Sequence, residues 1–321
     1  MCHAVDHYCV HMLRIGVTGG IGSGKSSIAA VLRDRGAVII DADAISRQVV
    51  APGSAGLAGV LKHFGPGVRA ADGSLDRAAL ARLVFTDPGA RRELEAITHP
   101  LIWAEAGRQF AAVPADGVAV HDMPLLVEKR MSGEYHLVII AMVDPETRVR
   151  RLVEQRGLDE ADARARIAAQ VSDDERVAAG DVLLDNGGTP DDLTAATGRL
   201  WQERIEPFRA NLLALRPAAP ATSPLELAGA QAQAGRIATR IAHTITDRIE
   251  AIGARVTSVA GGLLTIDCGV VAAKPAGDGP WLAPEHRAAL THAGFPGVAG
   301  GDVFGNCDPA WPSRITLRRM P

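Results

Sequence analysis

Eight consecutive residues, Gly19-Gly20-Ile21-Gly22-Ser23-Gly24-Lys25-Ser26, fit the phosphate-binding pattern G-x-x-x-x-G-K-[ST]. Glycine tolerates backbone angles closed to other residues, so successive N–H groups can converge on anionic oxygens. The helix expected next adds the positive end of its dipole. Lys25 is then placed to reach the outer phosphates of a nucleotide, and the Ser26 hydroxyl to ligate a phosphate-bound Mg2+. The chain has only four lysines, Lys25, Lys62, Lys129 and Lys274, and one of them falls at the motif position. Gly20, Ile21, Gly22, Ser23, Gly24, Lys25, Ser26 and Ser27 are therefore the expected contacts of a nucleoside triphosphate.

Phosphoryl transfer to a hydroxyl also needs a carboxylate to accept or orient the acceptor's proton, and cations to neutralise the transition state. Asp41 and Asp43, either side of Ala42, follow an apolar run. One of them could be that carboxylate, hold Mg2+ through water, or cap a helix starting there. Asp122 closes another apolar run, either as a carboxylate near the metal or as a turn former before Pro124. Arg148, Arg151 and Gln155 share one face of a helix opened by Pro145, with Arg150 and Arg156 beside them. Guanidinium groups there could clamp phosphates and exclude water, or simply line a solvated face. His63, His99, His121 and His136 have no metal-ligand spacing.

The apolar runs that must position these groups are residues 13–17, 37–40, 118–120, 137–143 and 182–184. They do not alternate, and helical stretches separate them, the pattern of strands buried on both faces of a parallel sheet. The expected fold is α/β and doubly wound, with ligands gathered at the carboxyl ends of the strands. Residues 26–35 read as the first helix, ended by Gly36. Residues 55–112 form a long helical insertion, a candidate acceptor-binding subdomain, interrupted at Gly65-Pro66-Gly67, Asp87-Pro88-Gly89 and His99-Pro100. Residues 216–224 have the Pro and Ala composition of a linker. Beyond it, residues 225–321 read as a small α+β module: one helix over 225–252, a strand over 263–267 and a helix over 284–292.

At 47% apolar and 22% charged residues, the composition is that of a globular protein with ample core. A formal charge of −3 gives no global attraction to nucleic acid. The longest apolar stretch, 137–143, falls far short of the roughly 18 residues a membrane span needs. The first residues lack the features of a secretory signal, so the cytoplasm is expected. Cys2, Cys9, Cys268 and Cys307 lie at the two extremities and imply no disulfide framework. Cys2, His3, His7, Cys9 and His11 could gather round zinc, but residues 1–11 read first as a disordered leader before a strand starting near Met12.

Several separate strings resemble one family, the dephospho-CoA kinases: Thr18 to Ser26, Asp41-Ala42-Asp43, Thr98-His99-Pro100-Leu101-Ile102 and Asp122-Met123-Pro124-Leu125-Leu126-Val127-Glu128. Arg150 to Gly157, Ala168-Ala169-Gln170 and Asp185-Asn186 extend the resemblance over residues 12–213. It implies a P-loop kinase domain over residues 12–215 that moves the ATP γ-phosphoryl group to the ribose 3′-hydroxyl of dephospho-CoA, with Mg2+. By that resemblance Asp43 is the base or acceptor orienter. Lys25 and Arg151 stabilise the transferring charge, and Arg156 joins the arginine lid. His99, Pro124 and Leu125, with the His99-Pro100 turn, help to form the acceptor site. The tail resembles, less specifically, the GrpB-like domain that follows such kinases in some actinobacteria, here truncated and without its glycine-serine motif, and is expected to be non-catalytic.

Overall fold

The computed structural model describes residues 12–222, 225, 227–273, 281–299 and 301–320. The Cys2 to His11 cluster and Lys274 lie outside them. The chain divides into two compact units, the smaller formed by Ile40–Val113 and His121–Met123.

Five strands, β1 (Leu13–Gly19), β2 (Val38–Asp41), β3 (Val118–Asp122), β4 (Leu137–Met142) and β5 (Val182–Asp185), form one sheet in the order β2-β3-β1-β4-β5. β1 runs parallel to β4, with Ile15 opposite Leu137, and β4 parallel to β5, with Ile139 opposite Val182. Leu137, Val138, Ile139 and Ile140 are all fully buried, which is why this strand reads as an unbroken apolar run rather than an alternating one. Helix α1 (Lys25–Asp34) crosses over from β1, and its Ile28 and Leu32 pack into the sheet's core with Ile15, Val17 and Ile139.

The smaller unit carries α2 (Ala42–Gln48), α3 (Ala55–Phe64), α4 (Arg77–Thr86) and α5 (Pro88–Ala111) around Val50, Val60, Val68 and Leu80. Here the structure corrects the expected His99-Pro100 turn, since both residues lie inside the 24-residue helix α5. Pro100 has no N–H for the carbonyl four residues back, a loss that normally bends or ends a helix. Leu94 and Ile97, packed on the unit's apolar cluster, hold the helix in register as it passes the proline.

The larger unit continues with α6 (Pro145–Arg156), α7 (Glu160–Ala168), α8 (Asp173–Ala179), α9 (Pro190–Leu200) and α10 (Glu206–Leu213). A π-helical turn, Trp201–Ile205, joins the last two, and Trp201, Ile205, Phe208 and Leu212 complete the core over β1. The C-terminal module comprises α11 (Leu227–Thr244), β6 (Ile249–Ala260), β7 (Leu263–Ala272), α12 (Pro284–His292), β8 (Gly297–Ala299), β9 (Val303–Gly305) and β10 (Ser313–Arg319), with sheet order β6-β7-β10-β9-β8. Its core joins Ala230, Ala234, Ile237 and Ile241 of α11 to Leu264, Ile266, Val270, Ile315 and Leu317. The expected helix over 225–252 ends at Thr244, and Ile249 already begins a strand. Ile241, Ile245 and Ile249 keep the four-residue spacing of a buried helix face through that turn, so periodicity overruns the true end. On the free edge of β6, the Gln231 carboxamide of α11 donates to the Ala254 carbonyl at 2.8 Å and accepts from the Val256 N–H at 3.1 Å.

Buried polar contacts seat this module against the first sheet. Asp181, immediately before β5, has a fully buried side chain. It accepts from the Val138 N–H at 2.8 Å and pairs with Arg240 and, at 3.2 Å, Arg236 of α11. Burial pushes the Asp181 carboxyl up, but the guanidiniums of Arg240, Arg204 and Arg236 outweigh it and hold it below its usual range. Arg204 grips Asp308 through two bonds, at 3.0 and 2.7 Å. His136 accepts from the Arg14 N–H at 2.9 Å through Nδ1, and its Nε2 lies 3.2 Å from the His292 carbonyl. Burial lowers this imidazole to about 3, so it stays neutral. Among the described residues, no helix is long and apolar enough to cross a membrane.

Candidate active site

The site is built where β1 ends. Gly22 (φ 78°) and Gly24 (φ 83°) turn the chain through the left-handed region, and α1 starts at Lys25. No acidic residue occupies the first turn of α1, so its unspent N–H groups and dipole face the loop uncompensated. Lys25 bends back along the loop, its Nζ 3.4 Å from the Gly19 carbonyl. Ser26 and Ser27 are exposed, whereas Ser23 and Gly20 are buried.

Three side chains brace this loop. Asn186, just past β5, donates from Nδ2 to the Ser23 carbonyl at 2.7 Å and abuts Gly24 so closely that any side chain there would collide with it. The Asn186 carbonyl accepts a 2.7 Å bond from Arg151 of α6, which ties that helix to the same point. At the other end of the loop, the Gln170 side-chain oxygen accepts from the Ile21 N–H at 2.9 Å, and Arg148 lies against Gly20.

A cleft of about 610 Å³ opens beside the loop, lined by Gly22, Gly24, Lys25, Ser26, Ser27, Arg151, Gln155, Arg156, Asn186 and Thr194 among others. The structure thus brings most of the expected phosphate contacts together with Arg151 and Arg156 of α6. Gly20, Ile21 and Ser23 do not line the cleft. Pro124 sits in a turn whose carbonyl accepts from the Thr18 hydroxyl at 3.2 Å, and the neighbouring Leu125 is 45% exposed.

Asp43, Asp122 and His99 belong to the smaller unit. Asp41 caps α2, its carboxylate accepting from the Ala44 N–H at 2.8 Å. Asp43, in the first turn, keeps an exposed carboxylate that makes no cap. Asp122 closes β3, half-buried, and His99 lies midway along α5. Asn186 and Gln170 had no role on sequence grounds alone. The available signal was a polar residue placed straight after an apolar strand, which applies to Asn186 and not to Gln170.

Residues 13–192 match the family model for dephospho-CoA kinase. The chain is 54% identical over 201 residues to a dephospho-CoA kinase of Mycolicibacterium paratuberculosis, a match covering 63% of this chain and 49% of that protein. It is 52% identical over 194 residues to a dephospho-CoA kinase of Frankia casuarinae, covering 60% and 84% respectively. A crystal structure of a Thermus thermophilus protein aligns with a TM-score of 0.53 at 35% identity, covering 60% of this chain and 98% of that one. The match thus spans about half the length of the mycobacterial relative.

Proposed function

The chain belongs to the dephospho-CoA kinase family, and we propose that it transfers the γ-phosphoryl group of ATP to the ribose 3′-hydroxyl of dephospho-CoA, giving coenzyme A and ADP. The observation that carries this reading is the cleft in which Lys25, Ser26, Arg151 and Arg156 converge on the glycine loop. Arg151 and Lys25 are both cations held at the loop, one by the Asn186 carbonyl beside Gly24 and the other back along it near Gly19. They neutralise the oxygens of a transferring phosphoryl group. The acceptor's hydroxyl oxygen forms the new bond to γ-phosphorus, the bond from γ-phosphorus to the bridging oxygen breaks, and ADP leaves with that electron pair. The hydroxyl proton passes to the exposed carboxylate of Asp43. Pro124, Leu125 and His99 are assigned to the acceptor.

Among the described residues, no three His, Cys, Asp or Glu side chains gather into a metal cage. That fits Mg2+, which keeps its waters and is carried largely by phosphate oxygens. Ser26, exposed at the start of α1, and Asp122 would hold it, and it would supply charge neutralisation between the outer phosphates. We assign the reaction to residues 12–215 and to the cytoplasm, where ATP is supplied. The test is full-length protein with Mg-ATP and a panel of acceptors, followed by ADP release and product mass. Turnover with dephospho-CoA and none with AMP, CMP or shikimate is expected; ATP binding with no acceptor-dependent turnover would refute the assignment.

A further inference from the structure

Two buried guanidiniums, one of them against the glycine loop, take no part in the transfer described above. Arg148 is 4% exposed and Arg176 3%. Both bond Asp173, the first through Nη2 at 2.7 Å and the second through Nη1 at 2.8 Å. The Asp173 side chain is 36% exposed, so one wet carboxylate serves two dry cations. Glu128, the other carboxylate nearby, lies 3.8 Å from Arg176 Nη2, too far for a hydrogen bond. Among the described residues, neither that nitrogen nor Arg148 Nε has a hydrogen-bond partner. Burying cationic N–H groups unsatisfied is costly, so such a pair calls for a further anion with several oxygens.

The loop shows where that anion belongs. Arg148 packs its Nη1 onto Gly20, where a β-carbon would collide with it, and its own backbone flanks Gly22. Lys25 Nζ, the group that reaches outer phosphates in this motif, points toward the same end, 3.4 Å from the Gly19 carbonyl. The Gly24 end, with Arg151 and Asn186, opens into the cleft. A nucleotide lying with its inner phosphates at Gly24 directs its last phosphate toward Gly20.

We propose that Arg148 binds the terminal phosphate of the donor nucleotide, with Asp173 holding the guanidinium in place until that phosphate arrives. This inference rests on the donor assignment made above. A guanidinium presents paired N–H groups that match phosphate oxygens, and one set beyond the reach of a diphosphate distinguishes ATP from ADP. It adds to the hold on ATP and leaves the hold on ADP unchanged, and so favours exchange of ADP for ATP.

The experiment measures affinity of the full chain, with Mg2+, for ADP and for a non-hydrolysable ATP analogue, in the parent, Arg148→Gln and Arg148→Lys. A charge-assisted contact made only by the last phosphate predicts that Arg148→Gln weakens the ATP analogue about 10- to 100-fold. ADP binding stays within about twofold, which also reports that the variant is folded, and Arg148→Lys recovers part of the loss. Equal loss for both nucleotides would make Arg148 a mere support of the loop, and no loss for either would leave it without a nucleotide role. Both outcomes overturn the proposal. A parent chain that binds neither nucleotide would instead refute the donor assignment itself.

Discussion

Around Asp181 the guanidiniums of Arg204, Arg236 and Arg240 close on carboxylates as dry as themselves, Asp181 at 0% and Asp308 at 2% side-chain exposure. Behind the glycine loop, Arg148, which packs on Gly20, shares with Arg176 an Asp173 that water still reaches, and Arg151 donates to a backbone carbonyl. Both places are arginine-rich, yet only in the first are the carboxylates themselves dry. A buried pair that is complete holds two parts of a chain together. A set of cations with too few buried anions is incomplete until a ligand arrives. The burial of the partner, more than the burial of the arginine, separates staple from binding site.

The largest effects should come from the loop side and leave stability alone. Lys25→Ala and Asp43→Asn are each expected to lower turnover by about two to four orders of magnitude, with melting temperatures near the parent's. Near-native turnover in either would break the comparison at its functional end. On the side of the buried carboxylates the signs reverse. Asp181→Asn leaves Arg240 and Arg236 without their buried anion, and should cost about 3–5 kcal/mol in urea unfolding while ADP affinity in the folded fraction stays within about twofold. An unfolding curve like the parent's would show that this cluster is not a staple.

Smaller, but with a distinctive pH signature, is the effect of His136 at the same contact. Its folded value, about 3, lies below the ordinary 6.5 because burial disfavours the charged ring. The unfolded chain therefore binds a proton that the folded chain refuses. Stability is full above pH 6.5 and falls by about 1.4 kcal/mol per pH unit below it, until the pH reaches the folded value. Asp181 acts in a lower window: its depressed carboxyl gives stability above the ordinary carboxylate range, lost as the pH drops through its folded value. Urea midpoints at pH 7.5 and 5.5 should diverge in the parent and converge in His136→Gln. A slope unchanged by the substitution would assign the acid sensitivity elsewhere.

The legible parts of this chain were those set by local rules. A glycine-rich loop between an apolar strand and a helix needs no tertiary information, and β1, α1, β4 and β5 lie within two residues of their expected bounds. Pro100 misled because its effect depends on neighbours: cluster contacts at Leu94 and Ile97 carry α5 through a residue that ends most helices. Thr244 was invisible as an end because the turn after it has no Gly or Pro and keeps isoleucines at helical spacing. Within the site, Arg151 and Arg148 sit on one helix and look equivalent on a wheel. Only the folded chain separates them, since Asp173 and Gly20 reach Arg148 from distant parts of the sequence.

The Gln231 carboxamide on β6 has a consequence for how copies of this chain behave in a crowded solution. β6 is a twelve-residue edge strand carrying only Glu250 and Arg255 as charges, the kind of open ladder to which a foreign strand can add. By occupying the Ala254 carbonyl and the Val256 N–H, Gln231 cuts that ladder near its middle into two short runs. A single amide group thus acts as a stop against self-templating, and it bears on the concentration at which molecules would begin to join edge to edge.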